Sequence, residues 1–436
     1  MNVIREREIK SLEFEEIRRA LANLTLTPMG RRLALEIMPA GSIETVARRQ
    51  KETNEGRLLC ARALFTPQST GDIEPAVLRA QKGGVLSGAE LAGLSQFLKG
   101  VARWKQFMKA PGHRDLFPLL AETVSSLDDF SSLARRLQTS IDEDGEVLDS
   151  ASAVLSDLRR KQRALQEQIR EKLDSYLHNP HTRRYLQEPL VTIRNGRYVL
   201  PVKQEYRRQL NGVLHDQSAS GATLFIEPLP VVQLQNQLTA LNKQVEREIE
   251  RILSELSALV AAAAEGLLQD RLLYAGLDLI VARGRLSLAQ RGVEPALHSA
   301  RNAWLRLVEA RHPLLPEPVP LNVTLGGNKR ILVITGPNTG GKTVALKTIG
   351  LLCIMAQCGL HIPAEPDSAL PVFDCIRADI GDEQSIAQSL STFSGHMKNI
   401  ISIMEEVTAS SLVLLDELGA GTDPSEGAAL AMSILA

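Results

Sequence analysis

Gly336-Pro337-Asn338-Thr339-Gly340-Gly341-Lys342-Thr343 is the stretch on which the reading of this chain turns. It fits G-x-x-x-x-G-K-[ST]. At that spacing glycines let backbone N–H groups face phosphate oxygens, and the N-terminus of a following helix adds a favourable dipole. The context agrees. Ile331-Leu332-Val333-Ile334 is a short, continuously apolar run, as expected of a strand buried on both faces of a parallel sheet, and Val344 to Gln357 carries a helical pattern. Residues 336–343 therefore form a candidate ATP loop. Lys342 is expected to reach the β/γ-phosphates, and the Thr343 hydroxyl to ligate Mg²⁺.

A second apolar run, Leu412-Val413-Leu414-Leu415, ends in Asp416-Glu417. A carboxylate at a strand end suits holding Mg²⁺ through its water shell, which is assigned to Asp416. The next carboxylate, Glu417, suits orienting or deprotonating the attacking water. The pair favours a nucleoside triphosphate hydrolase, with Glu417 and Lys342 catalytic, over a module that merely binds phosphate. Before that strand lies Leu390-Ser391-Thr392-Phe393-Ser394-Gly395-His396-Met397, and after it Gly419-Ala420-Gly421-Thr422-Asp423-Pro424. The first segment resembles the signature region of ABC-type ATPases, which implies that Ser391 caps a nucleotide held by an opposite subunit.

Upstream the patterning is helical. Residues 1–147 read as short helices: Leu12, Ile17, Leu21 and Leu24 fall at near-helical spacing, Thr27-Pro28 is a good helix start, and Gly83, Gly84 and Gly88 mark a turn before a helix through Leu98. From 148 an apolar seam runs Leu148, Ala151, Leu155, Leu158, Gln162, Leu165, Ile169, Tyr176, broken by Lys172. A second runs Val231, Leu234, Leu238, Leu241, Val245, Ile249, Ile252, Leu256, Leu259. Such steps suit a long antiparallel coiled-coil arm over 148–298, with two ordinary bundle helices as the alternative. Between the seams the period becomes two. Residues 191–194 and 197–200 flank Asn195-Gly196, a hairpin signal, and 223–226 is a third strand candidate, so a small β-rich clamp is expected at 186–228. Residues 181–210 hold seven basic side chains (Arg183, Arg184, Arg194, Arg197, Lys203, Arg207, Arg208) against Glu188 and Glu205, a net of +5. Arg194, Arg197, Lys203, Arg207 and Arg208 are the candidate phosphate contacts; a solvated basic face is the alternative.

Composition sets the outer bounds. The 436 residues, at roughly 150 per domain, suggest about three domains. With 44% apolar and 23% charged residues the chain is neither disordered nor collagen-like, and 50 Lys+Arg against 51 Asp+Glu exclude a uniformly basic nucleic-acid binder. Aromatics at 4% favour helix over a β-sandwich. Cys60, Cys353, Cys358 and Cys375 form no C-x-x-C pair and read as small buried thiols. No signal peptide opens the chain and no apolar run is long enough for a bilayer, so a cytoplasmic protein without membrane contact is expected.

With these motifs on one chain, Thr335-Gly336-Pro337-Asn338, Gly341-Lys342-Thr343, Leu390-Ser391-Thr392-Phe393, Asp416-Glu417-Leu418-Gly419 and Gly421-Thr422 resemble the MutS family. Arg311-His312-Pro313-Leu314 fits as well. His215-Asp216-Gln217-Ser218-Ala219-Ser220-Gly221-Ala222-Thr223 is similar to its second bacterial branch, the MutS-two type called endonucleases. The resemblance covers essentially the whole chain. It implies a multidomain protein: an all-α core, an arm carrying the clamp, then an α/β P-loop ATPase domain over 299–436 that dimerises. It also implies ATP and Mg²⁺ as ligands, a homodimer, binding of branched or structured DNA, restraint of homologous recombination, and rescue of collided ribosomes with rRNA contact.

Two departures from the family bear on this. Phe14-Glu15-Glu16 matches the mismatch-reading Phe-x-Glu tripeptide but stands in a helical pattern near the N-terminus, so it is read as chance and mismatch specificity is not expected. The chain ends at Ala436, inside the helix after Pro424, so the ATPase domain is expected to be incomplete at its C-terminus and the Smr nuclease domain absent. No residue is assigned to phosphodiester cleavage. The rivals are a nucleic-acid-binding or structural module without turnover, and an SMC-like ATPase, which would want a longer arm.

Overall fold

The computed structural model describes residues 3–299, 304–336, 341–380, 389–419 and 423–435, the side chains of 389–394 and 424 excepted. It is helix-rich with small sheets, and it divides into two compact units interleaved along the sequence. Met1–Asp72, Lys99–Asp129 and Gly266–Ala436 form one; Ile73–Leu98 and Phe130–Glu265 form the other. We call them the glycine-loop unit and the hairpin unit.

In the hairpin unit the helices Ala153–His178 and Leu229–Ala262 run antiparallel. Ser152 Oγ donates to Glu248 Oε1 at 2.7 Å and Gln162 Nε2 to Asn242 Oδ1 at 2.8 Å, so numbers rise on one helix as they fall on the other. The first helix starts at Ala153, after a 3-10 turn at Asp149–Ala151, and not at Leu148. Two seam positions shift by one residue: Leu173 is buried where the spacing pointed to Lys172, and Val260 is buried while Leu259 is 41% exposed. Strands β1 (Thr192–Arg194), β2 (Arg197–Lys203), β3 (Gly212–Gln217) and β4 (Thr223–Pro228) form a sheet in the order β1-β2-β4-β3. Asn195 (φ 49) and Gly196 (φ 72) supply the left-handed pair that a two-residue hairpin needs. The strand β3 carries no apolar–polar alternation in Gly212-Val213-Leu214-His215-Asp216-Gln217, so spacing does not mark it as a strand. Gln235 of the second helix accepts from Tyr198 N and donates to Tyr198 O, both at 2.8 Å, so an amide side chain bonds β2 as a neighbouring strand would. Ile169, Leu173, Leu200, Val202, Ile226 and Val231 make the core between helices and sheet.

In the glycine-loop unit the helix Lys342–Gln357 is buried at every residue from Thr348 onward. A helix apolar on all sides belongs inside. It shares one core with Leu12, Phe14, Ile17 and Leu21 and with the strands β6 (Leu305–Ala310), β7 (Leu321–Leu325), β8 (Ala369–Val372), β9 (Cys375–Asp379) and β10 (Ser411–Leu415), while β5 (Ala296–Ser299) flanks β8. β5 to β8 form one sheet in the order β5-β8-β6-β7, while β9 and β10 pair in parallel with Asp379 opposite Leu415.

Several local expectations change. Residues 331–335 are not a strand: Ile331, Leu332 and Val333 are 50%, 45% and 66% exposed. An apolar run becomes a buried strand only where a partner strand and covering layers reach it, and among the described residues β10 pairs with β9 alone. β10 forms where expected but buries only alternate residues, Leu412 and Leu414, leaving Val413 38% exposed. Of the Leu12–Leu24 pattern only Ile17 and Leu21 are helical, in Phe14–Ala22; Leu12 and Leu24 lie in the turns at either side, and Glu13 at φ 59 parts this helix from Glu6–Ser11. Phe14 is fully buried, so its aromatic ring is core and no wedge. Thr27 caps as expected, its Oγ1 accepting from Gly30 N at 2.9 Å. The helix after the 83–88 turn runs past Leu98 to Met108. Cys353, Cys358 and Cys375 are buried free thiols, and Cys60 is half-buried.

Candidate nucleotide site and basic surface

The first turn of the helix Lys342–Gln357 carries the two side chains that the loop motif singles out. Gly341, its N-cap, lies at φ 75 and Gly336 at φ 151, backbone conformations that side-chain-bearing residues rarely adopt. Lys342 Nζ donates to the Gly336 carbonyl at 2.6 Å, tying the two ends of the loop together. Pro337, Asn338, Thr339 and Gly340 lie outside the described residues, as does the Ser391 side chain on the helix Ser389–Glu406.

Thr343 Oγ1 donates to Asp416 Oδ2 at 2.6 Å. The residue after Lys342 thus touches the carboxylate that ends β10, although 73 positions separate them. Asp416 N donates to the Asp379 carbonyl at 3.0 Å, and Glu417 N to Asp416 Oδ1 at 3.1 Å. Glu417 is exposed and sits at φ 48, a left-handed position for a residue with a side chain. Strain of that kind gathers where a side chain must be aimed. The hydroxyl and carboxylate are hard oxygen donors, a set that fits Mg²⁺ shared with phosphates. Among the described residues no group of three or more His, Cys, Asp or Glu side chains is arranged to hold a metal by itself.

Sequence reasoning missed Asp379. Its carboxylate is 2% exposed and accepts from His396 Nδ1 at 2.7 Å, Asn399 Nδ2 at 2.8 Å and an Arg7 nitrogen at 3.4 Å. It joins the end of β9 to the helix that bears Ser391. Asp379 ends β9 as Asp416 follows β10, but Arg377 interrupts the run before it, so no continuous apolar stretch marks it in the sequence. His312 is buried and its Nδ1 accepts from Leu314 N at 3.4 Å; burial lowers its pKa, so the ring is neutral at pH 7 and shapes the local turn.

In the hairpin unit the candidate phosphate contacts divide. Arg197 donates to Glu227 Oε1 at 3.0 Å and to Asn236 Oδ1 at 2.6 Å, and Arg194 lies over the Phe225 ring at 4.3 Å and 3.4 Å from Asp216. Both guanidinium groups are engaged within the module. The organiser is Glu227, fully buried, which also holds His215 Nε2 at 2.5 Å from the bulge between Leu214 and Asp216. Lys203 Nζ donates to the Arg184 carbonyl at 3.4 Å. Arg207 is half-buried and Arg208 exposed, just past the turn Gln204–Tyr206. No single helix among the described residues is long and apolar enough to cross a membrane.

Residues 332–436 match the family described as MutS domain V. The chain is 48% identical to the Endonuclease MutS2 of Shouchella clausii over 99% of its own length, covering 55% of that protein. It is 46% identical to the Endonuclease MutS2 of Symbiobacterium thermophilum, over 99% of the chain and 54% of the relative. With that of Alkaliphilus oremlandii the identity is 43%, over 99% and 55%. The chain spans about half the length of the curated relatives it matches. A domain V at one end and 43–48% identity along nearly every residue place the chain in the MutS family, beside the proteins named MutS2.

Proposed function

We propose that this chain binds and hydrolyses ATP at residues 336–343 with Asp416 and Glu417, and couples nucleotide binding in a homodimer to holding nucleic acid. The observation that carries the reading is the 2.6 Å bond from Thr343 to Asp416, next to Lys342. The chemistry is phosphoryl transfer to water, catalysed by positioning and charge. Lys342 neutralises the β/γ-phosphates, Glu417 takes the proton of the attacking water, and Ser391 of a second copy closes over the nucleotide. Thr343 and Asp416 would hold Mg²⁺, which when bound offsets phosphate charge. The nucleic acid is proposed to be branched or structured DNA rather than mismatched duplex. Restraint of recombination and action on collided ribosomes through rRNA belong to the same reading. The relatives are named endonucleases; for this chain no cleavage site is proposed.

Binding without turnover is the second reading. The exposure of Ile331 to Val333 favours it, because Gly336 then follows a segment that no sheet among the described residues holds. Labelled ATP and phosphate release separate the two. Lys342→Ala is expected to abolish ATP binding. Glu417→Gln is expected to keep binding and lower phosphate release by about a hundredfold or more. Unchanged ATP affinity in Lys342→Ala would sink the site assignment. Phosphate release absent from wild type, with binding intact, selects the module.

A further inference from the structure

The basic surface of the hairpin unit contains an arrangement that charge counting does not show. Tyr185 and Tyr206 have ring centroids 5.0 Å apart with planes tilted by 33°. The Arg184 guanidinium stands over the Tyr185 ring, 5.1 Å from its centroid, and donates to the Tyr185 hydroxyl at 3.3 Å. Lys203 N donates to the Tyr185 carbonyl at 2.9 Å, and Lys203 Nζ to the Arg184 carbonyl at 3.4 Å, so β2 fixes where the pair sits. Both rings are half-buried, packed against the core that contains Leu186 and Val202. Arg184 and Arg208 are exposed and Arg207 half-exposed, with Glu205 the adjacent acid. Arg194 and Arg197, by contrast, are bound to Asp216 and Glu227.

From this geometry we infer that Arg184, Tyr185 and Tyr206, flanked by Lys203, Arg207 and Arg208, form a stacking platform for unpaired nucleotides. Duplex offers this surface only phosphates, because its bases are stacked on one another. A single strand offers both phosphates for the cations and π-faces for the rings and the guanidinium plane. The module therefore takes the single-stranded part of a structured nucleic acid, DNA or RNA. This deepens the nucleic-acid half of the proposed function and is independent of the nucleotide site.

The test uses the full chain without ATP and the anisotropy of labelled dT20, rU20 and a 20-base-pair duplex. Tyr206→Leu and Tyr185→Leu are expected to bind dT20, rU20 or both about 5- to 150-fold more weakly, with duplex affinity nearly unchanged. Tyr206→Phe should bind like wild type. Arg207→Gln with Arg208→Gln should flatten the salt dependence of single-strand binding, by about 0.7 in log–log slope per lost phosphate contact. Should a leucine variant melt early, ultraviolet cross-linking of 5-iodouracil strands to the wild type gives the same answer: cross-links at Tyr185 or Tyr206 support the platform, and cross-links elsewhere overturn it. Equal loss on duplex and single strands, or no loss on either, also overturns it. Absence of all nucleic-acid binding would sink the broader reading instead, so the two failures are distinguishable.

Discussion

Asp270 shows what a single buried charge does in this protein. Its Oδ1 accepts from Asp128 N at 3.0 Å, while Oδ2 is buried with no hydrogen-bond partner among the described residues. Burial, reinforced by the nearby Asp128 charge, pushes its pKa up to about 6. A carboxyl whose folded-state pKa is raised favours folding while protonated. That contribution is whole below the ordinary carboxylate range and is lost as pH rises through about 6. Asp270→Asn keeps the acceptor and removes the charge. It should therefore raise the melting temperature at pH 8 and change it little at pH 4; a variant less stable than wild type at pH 8 contradicts the account. Residues of this kind are hidden from sequence. Lys342 and Thr343 announce themselves through spacing within eight positions, and Asp416 through a strand ending. Asp379 acts through Arg7, 372 positions away, and Glu227 through Arg197, 30 away, which no local pattern encodes.

Among elements, the helices Ile43–Ala61 and Ala264–Ala289 meet at two glycines. A Cβ on Gly56 would lie 2.4 Å from the Ile280 carbonyl oxygen, and one on Gly284 would lie 2.3 Å from the Gly56 carbonyl carbon. Backbone meets backbone, so neither side can give. Alanine improves intrinsic helix propensity by about 1 kcal/mol, yet Gly284→Ala should lose about 1–3 kcal/mol net in urea unfolding, and a stabilised variant would refute this packing. In the hairpin unit the helix spacing was legible because burial follows the period of the helix itself. What slipped was phase: Leu173 replaces Lys172 because β-module side chains, not only the facing helix, choose which residue is covered. Leu173→Ala removes a fully buried side chain shared by helix and sheet, and should cost about 2–5 kcal/mol in the same assay. A loss under 1 kcal/mol would mean that the helix and sheet do not share one core.

Across the whole molecule the proposed function requires linkage. If ATP alters affinity for a junction or single strand by some factor, nucleic acid must alter ATP affinity by the same factor. Titrations of each ligand with and without the other, in the Glu417→Gln background, should return equal factors different from one. Factors of one in both directions would leave two independent binding sites. The sequence by itself determined the G-x-x-x-x-G-K-[ST] motif, the acidic strand end, the hairpin at Asn195-Gly196 and the two long helices. Each is written in residue types and spacings a few positions apart, where local sterics and periodicity act directly. Only the tertiary structure decided that Thr343 meets Asp416, that Arg197 serves Glu227, that 331–335 stays out of the sheet, and which segments share a unit. Those outcomes depend on which distant groups arrive to desolvate, pair or cover a residue.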